Sequence, residues 1–360
     1  MSKRLLSAGM ALCICLLLCG CDSWMNGRYS NVTPHRQENT EESNRVSEVR
    51  TYTELRQKLE ELVESGREST LIYMSGGTQS QLESYMEMAC SYVENHNAIG
   101  AYAVDEITYD VGTSSAKPAA AVAVKYLHGQ SEILRMDKVK TMGEAAALVS
   151  SALDNCDPDV VVRVEQYRAL DFTQFVQAYV DEHPQRCMEA PGISAEVYPK
   201  SGDERVIRIS FTYQTDRESL RDMQIAVQQI FSSAKLYVNE NALSWEKCSQ
   251  LYSFLMERYA YKIESSVTPS YSLLYQGVGD SKAFATVYAA MCRQVGLTCQ
   301  VVSGTKDGQP WYWNTLLIDD VYYHVDLLRC RSNDSFFTMT ENQMDGYEWN
   351  ETDLLNRFAD

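Results

Sequence analysis

Two things that a metal centre would need are missing from this 360-residue chain: it has no CxxC pair, and its five histidines (His35, His96, His128, His183, His324) are scattered. A structural zinc site draws sulfur and imidazole donors from short, regular spacings, so neither a metal nor another cofactor is expected. A basic surplus is missing too. Lys and Arg number 32 against 49 Asp and Glu, the formal charge is −17, and the acidic excess is spread along the chain. With no basic face to neutralise phosphates, nucleic acid is not an expected partner. What is present is ordinary globular material, 45% hydrophobic and 22% charged, enough for two or three domains with real cores. Of eleven cysteines, four lie near the N-terminus. The other seven (Cys90, Cys156, Cys187, Cys248, Cys292, Cys299, Cys330) are odd in number and widely spaced, and read as buried small hydrophobes rather than a disulfide scaffold.

Lys3 and Arg4 precede an apolar run, Leu5 to Leu18, that closes on Leu18-Cys19-Gly20-Cys21. This is the pattern of a secretory signal, and the run is short for a membrane span. Its end resembles the lipobox of bacterial lipoproteins, although Cys19 departs from the usual serine or alanine. The resemblance implies that residues 1–21 are a lipoprotein signal peptide ending at the lipobox cysteine, and that Cys21 is acylated, with membrane lipid as its partner. The protein would then be extracytoplasmic, lipid-anchored to the bacterial cell membrane. An ordinary cleaved signal or an uncleaved anchor is the alternative. Residues 22–50, polar and nearly free of aliphatic side chains, read as a flexible tether.

A helix follows, with Leu55, Leu59, Leu62 and Val63 on one face. The next region reads as duplicated. TLIYM from Thr70, the helical TQSQLESYMEMACSYVENH, ITYDV, AVAVKYLHG and the helical MGEAAALVSSAL are answered roughly ninety residues on by VVVRV, DFTQFVQAYVDEHP, ISAEVYP, VIRISFTYQT and RDMQIAVQQIF. Each copy reads β-α-β-β-α, so the fold class is α+β, with a first repeat over 51–156 and a second over 157–240. An unrepeated α+β domain is the plainer alternative. Neither copy carries a catalytic motif, and Gly76-Gly77 before a long helix reads as a turn.

In the last third, SWEKCSQLYSFLMERY from Ser244 is helical, and Phe284, Val287, Tyr288, Met291, Cys292 and Val295 mark the buried face of a second helix that Gly296 ends. LTCQVVSG, WYWNTLLI and VYYHVDLL are strands, joined by turns at TKDGQ and Asp319-Asp320. This order resembles the transglutaminase-like family of papain-type folds. The resemblance rests on the EKCSQLYSFLMERYAY helix, the GVGDS helix entry, VGLTCQVVSG, WYWN and DDVYYHVD. It implies a transglutaminase-like domain over 241–345, with 346–360 as a C-terminal tail. Members carry a cysteine at the start of the long helix, a histidine shortly before Trp-Asn, and an aspartate closing the Tyr-x-Val-Asp strand. Spacing puts the cysteine position on Ser281 and the histidine position on Trp311, while Asp326 keeps the third.

Those replacements bear directly on chemistry. A thiol at a helix N-terminus ionises readily beside an imidazolium; a serine hydroxyl needs a positioned base, and an indole nitrogen only donates. Asp326 is then expected to accept a hydrogen bond from an N–H such as that of Trp311. His324, two residues before Asp326 on the same strand face, is the one substitute base the spacing offers. Tyr275, Asp280, Trp313 and His324 are possible cleft-lining residues. Three readings stand: a catalytically inactive module binding a peptide, glycan or cell-wall component, an acyl transferase or hydrolase using Ser281 with an unrecognised base, and a structural or assembly protein of the cell envelope. The non-catalytic readings are favoured. A cleft open beside Ser281 would support either of the first two, and one filled by Trp311 the third.

Overall fold

In a computed structural model of the chain, described over residues 47–263, 266–333 and 335–350, two sheets of one design come first. β1 (Ser47–Val49), α1 (Tyr52–Glu64), β2 (Ser69–Met74), α2 (Gln79–His96), the short α3 (Ala98–Ala103), β3 (Val104–Ser114) and β4 (Lys117–Tyr126) build a sheet in the order β1-β2-β4-β3. β1 runs parallel to β2, and the other pairs are antiparallel. After α4 (Gln130–Arg135) the plan returns. β5 (Asp137–Thr141), α5 (Met142–Asp154), β6 (Asp159–Gln166), α6 (Phe172–Glu182), β7 (Gly192–Tyr198) and β8 (Arg205–Thr212) give the order β5-β6-β8-β7, with β5 parallel to β6.

The first helices of the two units match position by position. Thr51 accepts the Glu54 N–H and Thr141 the Glu144 N–H, and each glutamate reaches back to a backbone N–H before its helix. Leu55, Leu59, Leu62 and Val63 of α1 correspond to Ala145, Val149, Ala152 and Leu153 of α5, each set buried against its own sheet.

The duplication is therefore present, but its phase differs from the sequence reading. Met142–Asp154, expected to close the first copy, is the first helix of the second, where it shares a core with Val162 and Val164 of β6. The seam lies between Tyr126 and Asp137 rather than at 156, and each unit runs β-α-β-α-β-β. The reason is physical. Ser47–Val49 and Asp137–Thr141 are short segments at a sheet edge, too brief to show alternation, and only parallel pairing with a buried neighbour makes them strands. β1 also corrects the tether expected over 22–50; the rest of that tether, the signal segment and Cys21 lie outside the described residues.

α7 (Arg217–Tyr237) turns Val227, Phe231 and Ala234 into a core shared with the last third of the chain. Then come α8 (Ser244–Met256), β9 (Ala260–Tyr261), α9 (Pro269–Tyr271) continued by a π turn over Ser272–Gln276, β10 (Val278–Gly279), α10 (Ser281–Gln294), β11 (Thr298–Lys306), β12 (Gln309–Ile318), β13 (Val321–Val325), α11 (Leu327–Ser332) and β14 (Tyr347–Trp349). The last four strands form an antiparallel sheet, β13-β12-β11-β14. α10 packs against β11, β12 and α8 and is buried on nearly every side, as a central helix must be.

β14 overturns the tail expected over 346–360. It becomes a strand by pairing with Gly304–Lys306, and Gly304 makes that possible: a Cβ there would lie 2.1 Å from the Glu348 carbonyl oxygen. The hairpin turns at Asp307-Gly308 and Asp319-Asp320 take positive φ at both residues, as two-residue loops between twisted strands require. The seven described cysteines are all buried and none is bonded to another. No helix among the described residues is long and apolar enough to cross a membrane.

Candidate functional site

Ser281 opens the first turn of α10. Asp280 is the N-cap, its carboxylate accepting the Ala283 N–H at 2.9 Å, and Gly279 lets the incoming chain pass close over Leu273. Parallel pairing of Tyr261 with Gly279 pins this entry. Ser281 as a whole residue is 7% exposed, and no side chain hydrogen-bonds its hydroxyl among the described residues.

Trp311, half-buried on β12, donates its indole N–H to Oδ2 of Asp326 at 3.0 Å. Tyr261 links the two places. It pairs with Gly279, its ring lies 5.7 Å from that of Trp311, and burial, followed by the Asp280 and Asp326 carboxylates, holds its phenol above the usual tyrosine pKa. The helix entry and the Asp326 site are thus neighbours across one tyrosine.

Asp326 is 1% exposed and fully engaged. Oδ1 accepts the Leu328 and Arg329 backbone N–H groups, which caps α11, while Oδ2 accepts from Lys306 Nζ (2.9 Å), Trp311 Nε1 (3.0 Å) and the Tyr347 hydroxyl (2.5 Å). Lys306 Nζ also stands over the Trp311 and Tyr347 rings, at 4.9 and 5.1 Å. Burial, then the bond to Asp326, pushes the Tyr347 phenol well above its ordinary value. A buried carboxylate is tolerable here because a cation and four further donors compensate it.

His324 does not join this site. Asp326 follows β13 with its backbone still extended and shares a sheet face with His324, but the imidazole is taken up by Trp313, two residues along β12 from the Trp311 that bonds Asp326. The imidazole points instead into a buried aromatic cluster: Nδ1 accepts the Trp313 indole N–H at 3.0 Å, and the ring lies 5.0 Å from that of Trp349. Burial lowers its pKa. Among the described residues, no imidazole hydrogen-bonds to Ser281 or Asp326.

The expected cleft lining is corrected accordingly. Trp313 and His324 are core residues. Tyr275 is 63% exposed and stacks on Tyr271 at 4.9 Å. Asp280 faces a cavity of about 270 Å³ at the seam with the second α+β unit, together with Lys282 and Glu189. Of the three positions that the sequence resemblance marks as catalytic, the structure brings Trp311 and Asp326 into contact, with Ser281 two residues from the Gly279 that Tyr261 pairs with. Sequence reasoning missed Lys306, Tyr347, Tyr261 and Glu189. Lys306 ends a strand and reads as a solvated hairpin lysine, and Tyr347 falls in the supposed tail, so neither carried a local signal.

Residues 233–354 match the model of the transglutaminase-like superfamily, and this segment of the α+β chain is a transglutaminase-like domain. It begins earlier and ends later than 241–345, taking in the end of α7 and the whole of β14. No curated protein matches the chain. Similar solved structures include a TGase, at 11% identity over 53% of this chain and 58% of that one, TM-score 0.27. Another is provisionally described as a cysteine protease from Cytophaga hutchinsonii, at 10% identity over 44% and 70% of the two chains, TM-score 0.27. A third is provisionally described as a protease from Parabacteroides distasonis, at 7% identity over 75% and 44%, TM-score 0.22. The chain therefore spans little more than half the length of the TGase it matches.

Proposed function

We propose that the transglutaminase-like domain is a catalytically silent binding module for a peptide, glycan or other cell-wall component, held outside the bacterial cell membrane by a lipid on Cys21. The observation that carries this reading is the donor set of Asp326. Where an orienting carboxylate would take an imidazole N–H, it takes the N–H of Trp311, a group with no lone pair to receive a proton. Ser281 is then a hydroxyl without a base, and a hydroxyl is too weak an acid to ionise at a helix N-terminus unaided. His324 could not serve, because its Nδ1 is occupied by Trp313. Lys306 is engaged by Asp326. A cavity bordered by Asp280 and Lys282, the sequence neighbours of Ser281, at the seam with the second α+β unit supports a binding surface beside the helix entry.

Back-substitution tests the reading. Wild type and the Ser281→Cys/Trp311→His double variant are assayed for amidase, peptidase and amine-incorporation activity and for labelling by a thiol-reactive electrophile. The expected result is an inert wild type and a double variant whose new thiol labels rapidly and selectively. Turnover by wild type that disappears in Ser281→Ala would sink the silent reading.

A further inference from the structure

The turn after α6 serves two separate spaces. Pro184 and Cys187 line the cavity beside the helix entry, whereas Gln185 and Arg186 line a groove of about 620 Å³ whose other wall is the solvent face of α7. Small-molecule sites span about 300–1,000 Å³, so this groove has room for a ligand larger than one side chain. Its lining runs from Asp154 to Ser232 and lies wholly outside the segment that matches the transglutaminase-like superfamily.

The groove calls for a neutral ligand. Its one carboxylate, Asp154, accepts from the Tyr179 hydroxyl on one oxygen and from the Arg186 guanidinium on the other, each at 2.9 Å, so its one cation and one anion are paired with each other. Carboxamides supply most of the remaining polar surface: Gln185, Gln224, Gln228 and Gln229. Gln224 is spent on the scaffold, because its Nε2 donates to the backbone carbonyls of Asp154 and Arg186 and ties the turn to α7. Gln229 makes no side-chain hydrogen bond among the described residues. The Gln185 Oε1 is shut off from solvent and accepts none either, and since the terminal torsion of a glutamine is soft, an N–H donor in the groove can draw it out. Ile225, 61% exposed on the same face of α7, is the apolar member of the lining.

An acetamido group meets each of these features at once. Its N–H suits a carboxamide oxygen, its carbonyl suits a carboxamide N–H, its methyl covers the isoleucine, and it carries no charge. Sugar hydroxyls beside it, each both donor and acceptor, suit a row of carboxamides in the same way. A peptide offers the same amide, but extended peptides are held by pairing with a strand edge, and the walls here are a helix and turns.

We propose that this groove binds a neutral glycan bearing acetamido groups. The assignment rests on the reading of the protein as a silent binding module and names its ligand class, but it seats that ligand on α7 and the turn after α6.

The test is calorimetric titration of the protein with tri-N-acetylchitotriose, with cellotriose, which has the same linkage and a hydroxyl in place of each acetamido group, and with N-acetyl-trialanine N-methylamide. The chitotriose is expected to bind at least about tenfold tighter than cellotriose, because a site that hydrogen-bonds an amide is left unpaired by a ligand lacking it. Gln228, Gln229 and Ser232 are exposed, so substitutions there leave the core intact. Gln228→Leu combined with Gln229→Leu should weaken chitotriose binding at least about tenfold, and Ser232→Trp, which fills the groove from α7, should abolish it. Equal binding of cellotriose, tighter binding of the peptide, no heat up to about 10 mM chitotriose, or unchanged affinity in Ser232→Trp would overturn the site. The two proposals fail separately. Amide turnover by wild type ends the silent reading and leaves the groove, whereas an inert wild type that ignores chitotriose ends the groove and leaves the silent reading.

Discussion

Trp311 and Asp326, the two positions to which the sequence resemblance assigns an imidazole and the group that orients it, are joined by a 3.0 Å hydrogen bond from indole nitrogen to carboxylate. The indole N–H donates and has no lone pair with which to accept a proton. With Lys306 and Tyr347 on the same oxygen, the aspartate becomes the anchor of a knot that ties β11, β12, α11 and β14 together.

If that knot is structural, Trp311→Phe should cost about 1–3 kcal/mol, from one charge-assisted hydrogen bond and some ring packing. Urea unfolding followed by far-UV circular dichroism measures it, and a loss below about 0.5 kcal/mol would mean that the indole bond is incidental.

Asp326→Asn should cost more, about 2–4 kcal/mol, because it strands Lys306 and weakens the cap of α11 together; the lysine is a quarter exposed, so the full penalty of an orphaned buried charge is not expected. A double-mutant cycle with Lys306→Met gives the coupling, and zero coupling would separate the ion pair from the knot.

His324 sets a pH dependence whose sign is fixed by its surroundings. Burial lowers its pKa below the unfolded value near 6.5, and protonated Nδ1 could no longer accept from Trp313. The unfolded chain therefore takes up a proton that the folded one refuses. The contribution is complete above pH 6.5 and shrinks as pH falls from there toward the folded value. Unfolding midpoints between pH 7.5 and pH 5 should fall less steeply in His324→Gln than in wild type, and parallel slopes would rule the imidazole out as the cause.

Thiol chemistry should report the packing. Burial pushes the Cys90 thiol up to about 12 and the Cys330 thiol to about 11, and Cys292 lies in the core against Tyr288. Iodoacetamide at pH 8 should leave all seven described cysteines unmodified in the native protein and label them together on unfolding. Fast labelling of a single native cysteine would mark a locally open core.

Gly304→Ala should destabilise by about 1–3 kcal/mol, since the new methyl meets a backbone oxygen and the Trp313 ring rather than a movable side chain. The readout is thermal unfolding together with protection of the β11 and β14 amides in hydrogen exchange. Full protection of the β14 amides in the variant would show that the close approach is not what holds that strand.

Much of this architecture was legible in one dimension. Helices and central strands declare themselves through periodicity, because a residue's face is set by 3.6- or 2-residue spacing. So α1, α8, α10 and the run from β11 to β13 lie where the pattern puts them, and the Ser281, Trp311 and Asp326 positions could be named before their contacts were known. Short edge strands were not legible. Ser47–Val49, Asp137–Thr141 and Tyr347–Trp349 owe their conformation to partners far away in the chain, which no local pattern records. The same limit applied to the site. The sequence carries a hydroxyl at 281 and an indole at 311, where the family resemblance sets a thiol and an imidazole. Only the tertiary structure decided that His324 packs against Trp313 and that Lys306 and Tyr347 close on Asp326, because burial and charge pairing depend on which distant side chains the fold brings within a few ångströms.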